Sequence, residues 1–515
     1  MTANSVETPR GQAREGKPFE SPVGIVLGGG GTLGDFQVGA LQFLLRHLKQ
    51  SEIDPPIFCG TSVGAVNAAA AASAAATGKD VSKLKDLWLK GVIDIRQFYE
   101  FEEWFDDLGP NLPALARGGI VERGFAIVEI LRQSAVDIVR HRELSATLVD
   151  ILKDASDANL SALKLEPLRN MFIDLFGDDL EEVARSPRIK LALTAVNLET
   201  GELEYFCNPA CRGLLKRIST DCSSPQSLTQ AVFASASVPG LLKPAEICGK
   251  NFVDGSVREI APAEAATDLG AKTLFVILAL ASNLPPATSI ITGHEITDWR
   301  VQANFIDIAR RATNALLNET VKNDLAPYKS RCITIDPQQN IHPFFEFHAG
   351  LISINIDYGF MRAFDVVVGL MPGEFVKCGD LTERIIAKRL RIWKLEHELI
   401  ADWTEARHQS WPRYFSPVRH VVDTSIVFAI RAQKIQLHQL VEERLDLCGE
   451  ESFPETPEHM WKDWETHNWD LKEPTALPLM PTPWDGLDLG YLGTQVIPKE
   501  NPPRKVKKLT NETIR

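Results

Sequence analysis

The chain has 515 residues, of which 44% are hydrophobic and 24% charged, a composition typical of a folded globular protein with one large domain and additions. Its formal net charge of −13 argues against nucleic-acid binding, which depends on clustered lysine and arginine. Residues 1–22 are polar, lack the apolar core of a signal peptide and are expected to be disordered, and no run reaches the ~20 apolar residues of a membrane span. We therefore expect a cytoplasmic protein that binds no nucleic acid.

Two strand–loop–helix units follow the N-terminal segment. The apolar run 23–27 predicts a buried strand that enters a glycine loop at 28–34, and helical spacing of leucines follows at 36–49. A second strand is predicted at 56–59, and an alanine-rich stretch at 65–76 has high helix propensity. Two such units side by side predict an α/β sheet whose loops gather at the carboxyl ends of the strands.

The remaining elements divide the chain into four regions. Residues 80–185 show helical patterns and predict an inserted helical cap, after which the sheet resumes as a hairpin at 189–195 and 203–207. A central strand is predicted at 273–281. Further helices are predicted at 227–237, 299–324, 381–403 and 424–447. The predicted domains are a catalytic domain at 23–370, a helical region at 371–449 and a tail at 450–515.

The tail is unlike the rest of the chain, since its last 65 residues hold nine prolines and four of the ten tryptophans. Such a segment cannot be one regular element, and we expect it to wrap over its own domain or a partner subunit of a homo-oligomer. Residues 499–515 carry six Lys or Arg against two Glu. These basic residues at the C-terminus favour two interpretations, a solvated tail, which is the commoner one, and peripheral contact with a membrane.

The eight cysteines are spread along the chain without a CxxC pair. Without an export signal they are expected to be reduced thiols. Cys207 and Cys211 are spaced like half of a metal site, but no matching Cys/His pair completes it. We predict no metal and no cofactor.

Gly60-Thr61-Ser62-Val63-Gly64 lies between the second strand and the alanine-rich helix. A Gly-x-Ser-x-Gly sequence in this setting describes a nucleophile elbow, in which small neighbours permit a strained turn and leave the serine oxygen exposed. Ser62 is therefore the candidate nucleophile. The helix that begins here favours negative charge at the site.

Consecutive glycines follow the first strand at Gly28, Gly29, Gly30 and Gly31. Such a loop lets backbone N–H groups converge on one point, as an oxyanion hole requires. A nucleotide loop is the alternative, but Gly-x-x-x-x-Gly-Lys-Ser/Thr is absent and no clear acidic residue ends the second strand. A tight turn packed under the sheet is the structural alternative.

Asp254 stands in a Val-Asp-Gly-Ser turn after a short strand. Alone it would be an ordinary turn, but together with the two glycine motifs it resembles the patatin-like phospholipase family, as do Ala234 to Gly240 and Ile356 to Gly359. The resemblance covers about residues 23 to 370. It implies a three-layer α/β/α fold, here with the helical cap and a C-terminal helical extension, and metal-free hydrolysis of lipid or phospholipid acyl esters.

In this resemblance Ser62 is the nucleophile, Asp254 is the base, and Gly29, Gly30 and Gly31 form the oxyanion hole. Two positions depart from the family pattern. Leu33 stands where a Lys or Arg is usual, which removes a cation that could affect headgroup preference, with Arg258 as a candidate replacement. Ser256 replaces a Gly or Ala after the Asp-Gly pair.

Three other functions fit parts of the sequence. A Ser-Asp-His triad would use His294, but only two strands precede Ser62, fewer than that fold places before its nucleophile. A catalytically inactive scaffold or interaction protein is suggested by Leu33 and by the long C-terminal extension. Acyl transfer to an acceptor other than water would use the same dyad.

Overall fold

The computed structural model describes the chain in segments. The described residues are 19–48, 54, 56–90, 100–101, 163–239, 241–281, 295–303, 305–342, 348–369, 376–408, 424–462 and 465.

A mixed sheet of nine strands forms the centre of the described structure. Its strands are β1 (Val23–Leu27), β2 (Ile57–Thr61), β5 (Lys190–Asn197), β6 (Leu203–Cys207), β7 (Ser219–Asp221), β8 (Ala245–Ile247), β9 (Lys250–Asp254), β10 (Thr273–Ile277) and β11 (Cys332–Ile335). A separate pair is formed by β3 (Glu100–Phe101) and β4 (Leu163–Lys164).

The strand order of the large sheet is β11-β10-β1-β2-β5-β6-β7, with β9 paired to β5 and β8 paired to β9. The strands from β11 to β5 are parallel neighbours, whereas β6 and β9 run antiparallel to β5.

Helices cover both faces of this sheet, which gives the three-layer α/β/α fold predicted from the sequence. The first face is covered by α1 (Asp35–His47), α2 (Val63–Thr77), α3 (Ser82–Lys90), α4 (Glu166–Arg185), α5 (Pro225–Ser235) and α8 (Ala349–Gly369). The second is covered by α6 (Ala263–Asp268) and α7 (Phe305–Leu325). All five residues of β1, of β2 and of β10 are buried, as expected for strands with helices on both sides.

Helix α8 packs closely along α1, and two glycines permit this approach. A Cβ atom on Gly39 would overlap the carbonyl oxygen of Ile356, and one on Gly359 would overlap that of Phe36. The Ile356 to Gly359 match therefore lies on a helix that supports the start of α1. The sequence prediction had not placed a helix here.

The C-terminal helices are α9 (Val376–His408), α10 (Thr424–Cys448) and the short α11 (His459–Lys462). They share an apolar core to which Met460 and Trp461 contribute, so the first part of the tail packs on its own chain. A disulfide joins Cys378 to Cys448, the start of α9 to the end of α10. The expectation that all cysteines are reduced thiols was wrong for this pair, because sequence spacing does not show that two helix ends 70 residues apart meet.

A buried ionic cluster also ties α8 to α9. The Arg389 guanidinium is fully buried and donates to Asp357 at 2.8 Å and to Glu465 at 2.7 and 3.1 Å. His459 lies 3.1 Å from the same Asp357 oxygen. The Arg389 and His459 charges hold the pKa of Asp357 well below its usual range despite its burial.

Several predictions concern residues outside the described segments. These include the part of the predicted helical cap at 102–162, His294, residues 1–18 and the tail beyond 465. The described flanks of the cap are α3 and α4, with the short β3 and β4 pair between them. No helix among the described residues is long and apolar enough to span a bilayer.

Candidate active site

Ser62 occupies the sharp turn between β2 and α2. Its φ of 58° and ψ of −127° are rarely adopted by a residue with a side chain, so this turn is strained. A Cβ atom on Gly60 would overlap the carbonyl oxygen of Gly64, and one on Gly64 would overlap that of Leu27. Both glycines of the pentapeptide are therefore needed for the turn, which has the form expected of a nucleophile elbow.

Asp254 ends β9 and lies beside Ser62. The two side chains are almost buried, with Ser62 5% and Asp254 3% exposed. Burial raises the pKa of Asp254 to about 6, although the hydroxyls of Ser62 and Ser256, within hydrogen-bonding reach, and the Ser256 amide lower it again. The Ser256 amide donates to the carboxylate at 2.8 Å. Asp254 is thus a buried carboxyl group that can change its protonation near neutral pH.

The end of α5 and the residues that follow it position both of these residues. The Ser62 amide donates to the Ser235 hydroxyl at 2.9 Å, and the Asp254 amide donates to the Ser237 carbonyl at 2.9 Å. In the sequence, residues 234–240 belong to the family resemblance, and 234–237 also to the helix predicted at 227–237. Within this stretch, Ser235 and Ser237 hold the backbones that carry the two candidate catalytic side chains.

The glycine loop runs from the end of β1 through a 3₁₀ turn at Gly31–Gly34 to the start of α1. The Gly28 amide donates to Ile277 O at 3.0 Å, and the Gly29 amide donates to Ile260 O at 3.1 Å. Within the described part of the chain, the amides of Gly30 and Gly31 have no acceptor. Three loop amides were predicted to form an oxyanion hole, and these two are free to bind an oxyanion.

Gly29 contributes to the site in another way. A Cβ atom on Gly29 would overlap the Ser256 hydroxyl and would lie 3.3 Å from Ser62 Cβ. The absence of a side chain therefore lets the loop approach both residues. It also places the Ser256 hydroxyl between the loop and Asp254, at the position where the family usually has Gly or Ala.

Leu33 and Arg258 are the two residues that bear on a cation near the glycine loop. The Leu33 side chain is 4% exposed, so position 33 faces the protein interior. The Arg258 guanidinium instead donates to Gly201 O at 2.6 Å and lies 3.5 Å from Glu202. Arg258 therefore binds the β5–β6 turn.

Two further observations concern the histidine and metal hypotheses. His342 is buried and lies 2.9 Å from the Asp35 carboxylate at the start of α1, whereas His294 lies outside the described residues. Where the structure is described, no group of three or more His, Cys, Asp or Glu side chains is arranged to hold a metal ion. Cys207 and Cys211 are buried next to each other.

A strained serine between a strand and a helix, beside a buried carboxyl group in a three-layer α/β/α fold, is the architecture of hydrolases with a serine nucleophile. Residues 25–267 match the family described as patatin-like phospholipase. This match supports lipid acyl hydrolase activity in general. The match ends before α8, so the predicted domain limit at 370 stays a prediction.

Among solved structures, the chain is similar to VipD from Legionella pneumophila, with 13% sequence identity and a TM-score of 0.29. The alignment covers 89% of this chain and 93% of VipD. A likeness at this score carries no argument about function. No curated protein matches the sequence.

Proposed function

We propose that this protein is a serine lipid acyl hydrolase that cleaves fatty-acyl esters of phospholipids or related lipids. The observation that carries the proposal is the buried Asp254, with its pKa raised to about 6, beside Ser62 on a strained turn. A carboxylate is a weak base in water, but one whose pKa lies near the working pH can accept a proton from a hydroxyl. Burial supplies that shift here.

The proposed mechanism has two steps. Asp254 takes the Ser62 proton as Oγ attacks the ester carbonyl, and the proton then passes to the departing alcohol, which leaves an acyl-enzyme. Water, deprotonated by Asp254, attacks the acyl group, and the proton passes from Asp254 to Ser62 Oγ as the fatty acid is released. Each attack creates a negative oxygen, for which the free amides of Gly30 and Gly31 are the proposed donors. These steps use no metal or cofactor.

A fluorophosphonate probe tests this proposal directly, because it forms a covalent bond with an activated serine. We expect the wild type to be labelled and to hydrolyse a p-nitrophenyl ester, and we expect Ser62→Ala to do neither. Ser73→Ala is the matched control, since Ser73 is a buried serine on α2 whose hydroxyl donates only to Ala69 O. Absence of labelling in the folded wild type would favour the inactive scaffold.

Acyl transfer would proceed through the same acyl-enzyme and would be recognised by an acylated acceptor among the products. The expected cytoplasmic location, the peripheral membrane contact and a homo-oligomer remain sequence-based predictions. Lipid vesicle sedimentation and light scattering would test the last two.

A further inference from the structure

Two buried amide side chains hold the ends of the glycine loop. Gln37, on α1, donates through Nε2 to Gly28 O at 2.7 Å and to Ile277 O at 3.1 Å. Asn67, on α2, donates through Nδ2 to Gly34 O at 2.9 Å. The loop from residue 28 to residue 34 is therefore bound at its first and its last carbonyl.

The two side chains are also bound to each other. Asn67 Nδ2 donates to Gln37 Oε1 at 2.9 Å, and Asn67 Oδ1 accepts from Trp88 Nε1 at 3.1 Å. The indole N–H can only donate, so it determines which amide atom of Asn67 faces it and which atom faces the loop. Both amide groups are fully buried, and every bond has a donor matched to an acceptor.

Asn67 stands five residues after Ser62 on the helix that begins at the nucleophile. A bond from this helix to Gly34 O therefore links the glycine loop to the element that carries Ser62. Misplacement of about 1 Å between reacting groups can cost a hundredfold in rate, so such a link matters for an oxyanion hole.

We infer that Gln37 and Asn67 are positioning residues that hold the Gly30 and Gly31 amides in place relative to Ser62. The inference rests on the proposed function for its effect on rate. Its structural content, that these two side chains immobilise the loop, can be measured without any activity.

Asn67→Ala and Gln37→Leu test the inference, with Ser73→Ala as the control that removes a buried hydrogen bond from α2 without contacting the loop. We expect kcat for a p-nitrophenyl ester to fall about 10- to 100-fold in both test variants, with KM within about threefold of wild type. The control should keep its kcat. A variant that merely loses stability would lower the fraction of folded enzyme, which active-serine titration measures, and leave kcat per folded site unchanged.

Hydrogen exchange of the 28–34 segment, followed by mass spectrometry, separates this inference from the proposed function. We expect exchange at the Gly28, Gly29 and Leu33 amides, which are hydrogen-bonded in the structure, to be at least about tenfold faster in both test variants and unchanged in Ser73→Ala. Unchanged exchange in the test variants would overturn the inference even if the enzyme is active. Faster exchange with unchanged kcat would overturn the catalytic part. An inactive wild type with faster exchange in both variants would refute the proposed function and leave the link between loop and helix supported.

Discussion

Ser62 and Asp254 are placed by two adjacent positions of one strand. Thr61, at the end of β2, pairs with Thr194 of β5, and Asp254, at the end of β9, pairs with Ala195. Since β6 lies on the other edge of β5, β2 and β9 occupy consecutive stretches of the same edge. Ser62 and Asp254 therefore lie at the point along β5 where its pairing with β2 ends and its pairing with β9 begins.

Asp254→Asn should be nearly as damaging to hydrolysis as Ser62→Ala, because the amide cannot accept a proton. It should not destabilise the fold at pH 8. The folded-state pKa of about 6 exceeds the ordinary value of 3.8, so the native state binds this proton more tightly than the unfolded chain. Stability therefore falls as pH rises between these values, by about 3 kcal/mol in total for a shift of about two units. Thermal melting beside ester hydrolysis checks both points, and activity above a tenth of wild type would remove Asp254 as the base.

The activity should depend on pH through the same group. Because the base must be ionised, kcat/KM should be constant above about pH 7 and fall tenfold per unit well below pH 6. Ser256→Ala should move this acidic limb to higher pH, since the Ser256 hydroxyl lowers the pKa of Asp254. Rate profiles from pH 4.5 to 9 for both proteins give the comparison. An identical limb in Ser256→Ala would show that this hydroxyl does not act on Asp254.

Gly64→Ala should prevent the turn at Ser62 from forming. The added methyl would overlap the carbonyl oxygen of Leu27, and backbone of a buried strand cannot move aside as a flexible side chain can. We expect a loss of several kcal/mol or no soluble protein. Gly369→Ala is the control, because a Cβ atom there meets nothing within 4 Å, and it should change stability by less than about 1 kcal/mol. Soluble yield and urea denaturation are the measurements. A soluble Gly64→Ala protein with the urea midpoint of the wild type would contradict the prediction.

Arg389→Met should destabilise the C-terminal helices strongly. The change removes the guanidinium that binds the buried carboxyl groups of both Asp357 and Glu465, so that Asp357 keeps its contact with His459 while Glu465 loses its ion pair with Arg389, and breaking a buried pair in this way costs about 3 to 5 kcal/mol. Arg384→Met, on the same helix, removes an exposed pair with Asp380 and should cost less than about 1 kcal/mol. Equal urea midpoints for the two variants would contradict a stabilising role for the cluster.

Much of the sheet and the turn at Ser62 could be predicted from sequence because local patterns specify them, whereas Asp254 was assigned only through the family resemblance. The strand Val23–Leu27 was predicted with its observed bounds, and the helix predicted at 424–447 is found at Thr424–Cys448. A short apolar strand that ends in glycine has few alternative interpretations. The same holds for Ser62, whose neighbours are the small residues that the strained turn requires.

The supporting residues could not be predicted in the same way. Gln37, Asn67 and Ser235 are polar residues within helical patterns, and on sequence alone such residues are expected to face solvent. Their bonds join segments up to 240 positions apart, which no local pattern reports. The Cys378–Cys448 disulfide and the pairing of β9 with β5 depend on tertiary contacts for the same reason.

Helix α2 has methyl groups on nearly all of its sides, and 12 of its residues, among them Asn67 and seven alanines, are buried. It contacts the sheet and helices α4 and α5, so a larger side chain on it would have to displace one of these neighbours. Any such displacement would also shift Ser62, which precedes the first residue of the helix. Changes that alter what binds at Ser62 should therefore leave this helix small and fall on residues outside it.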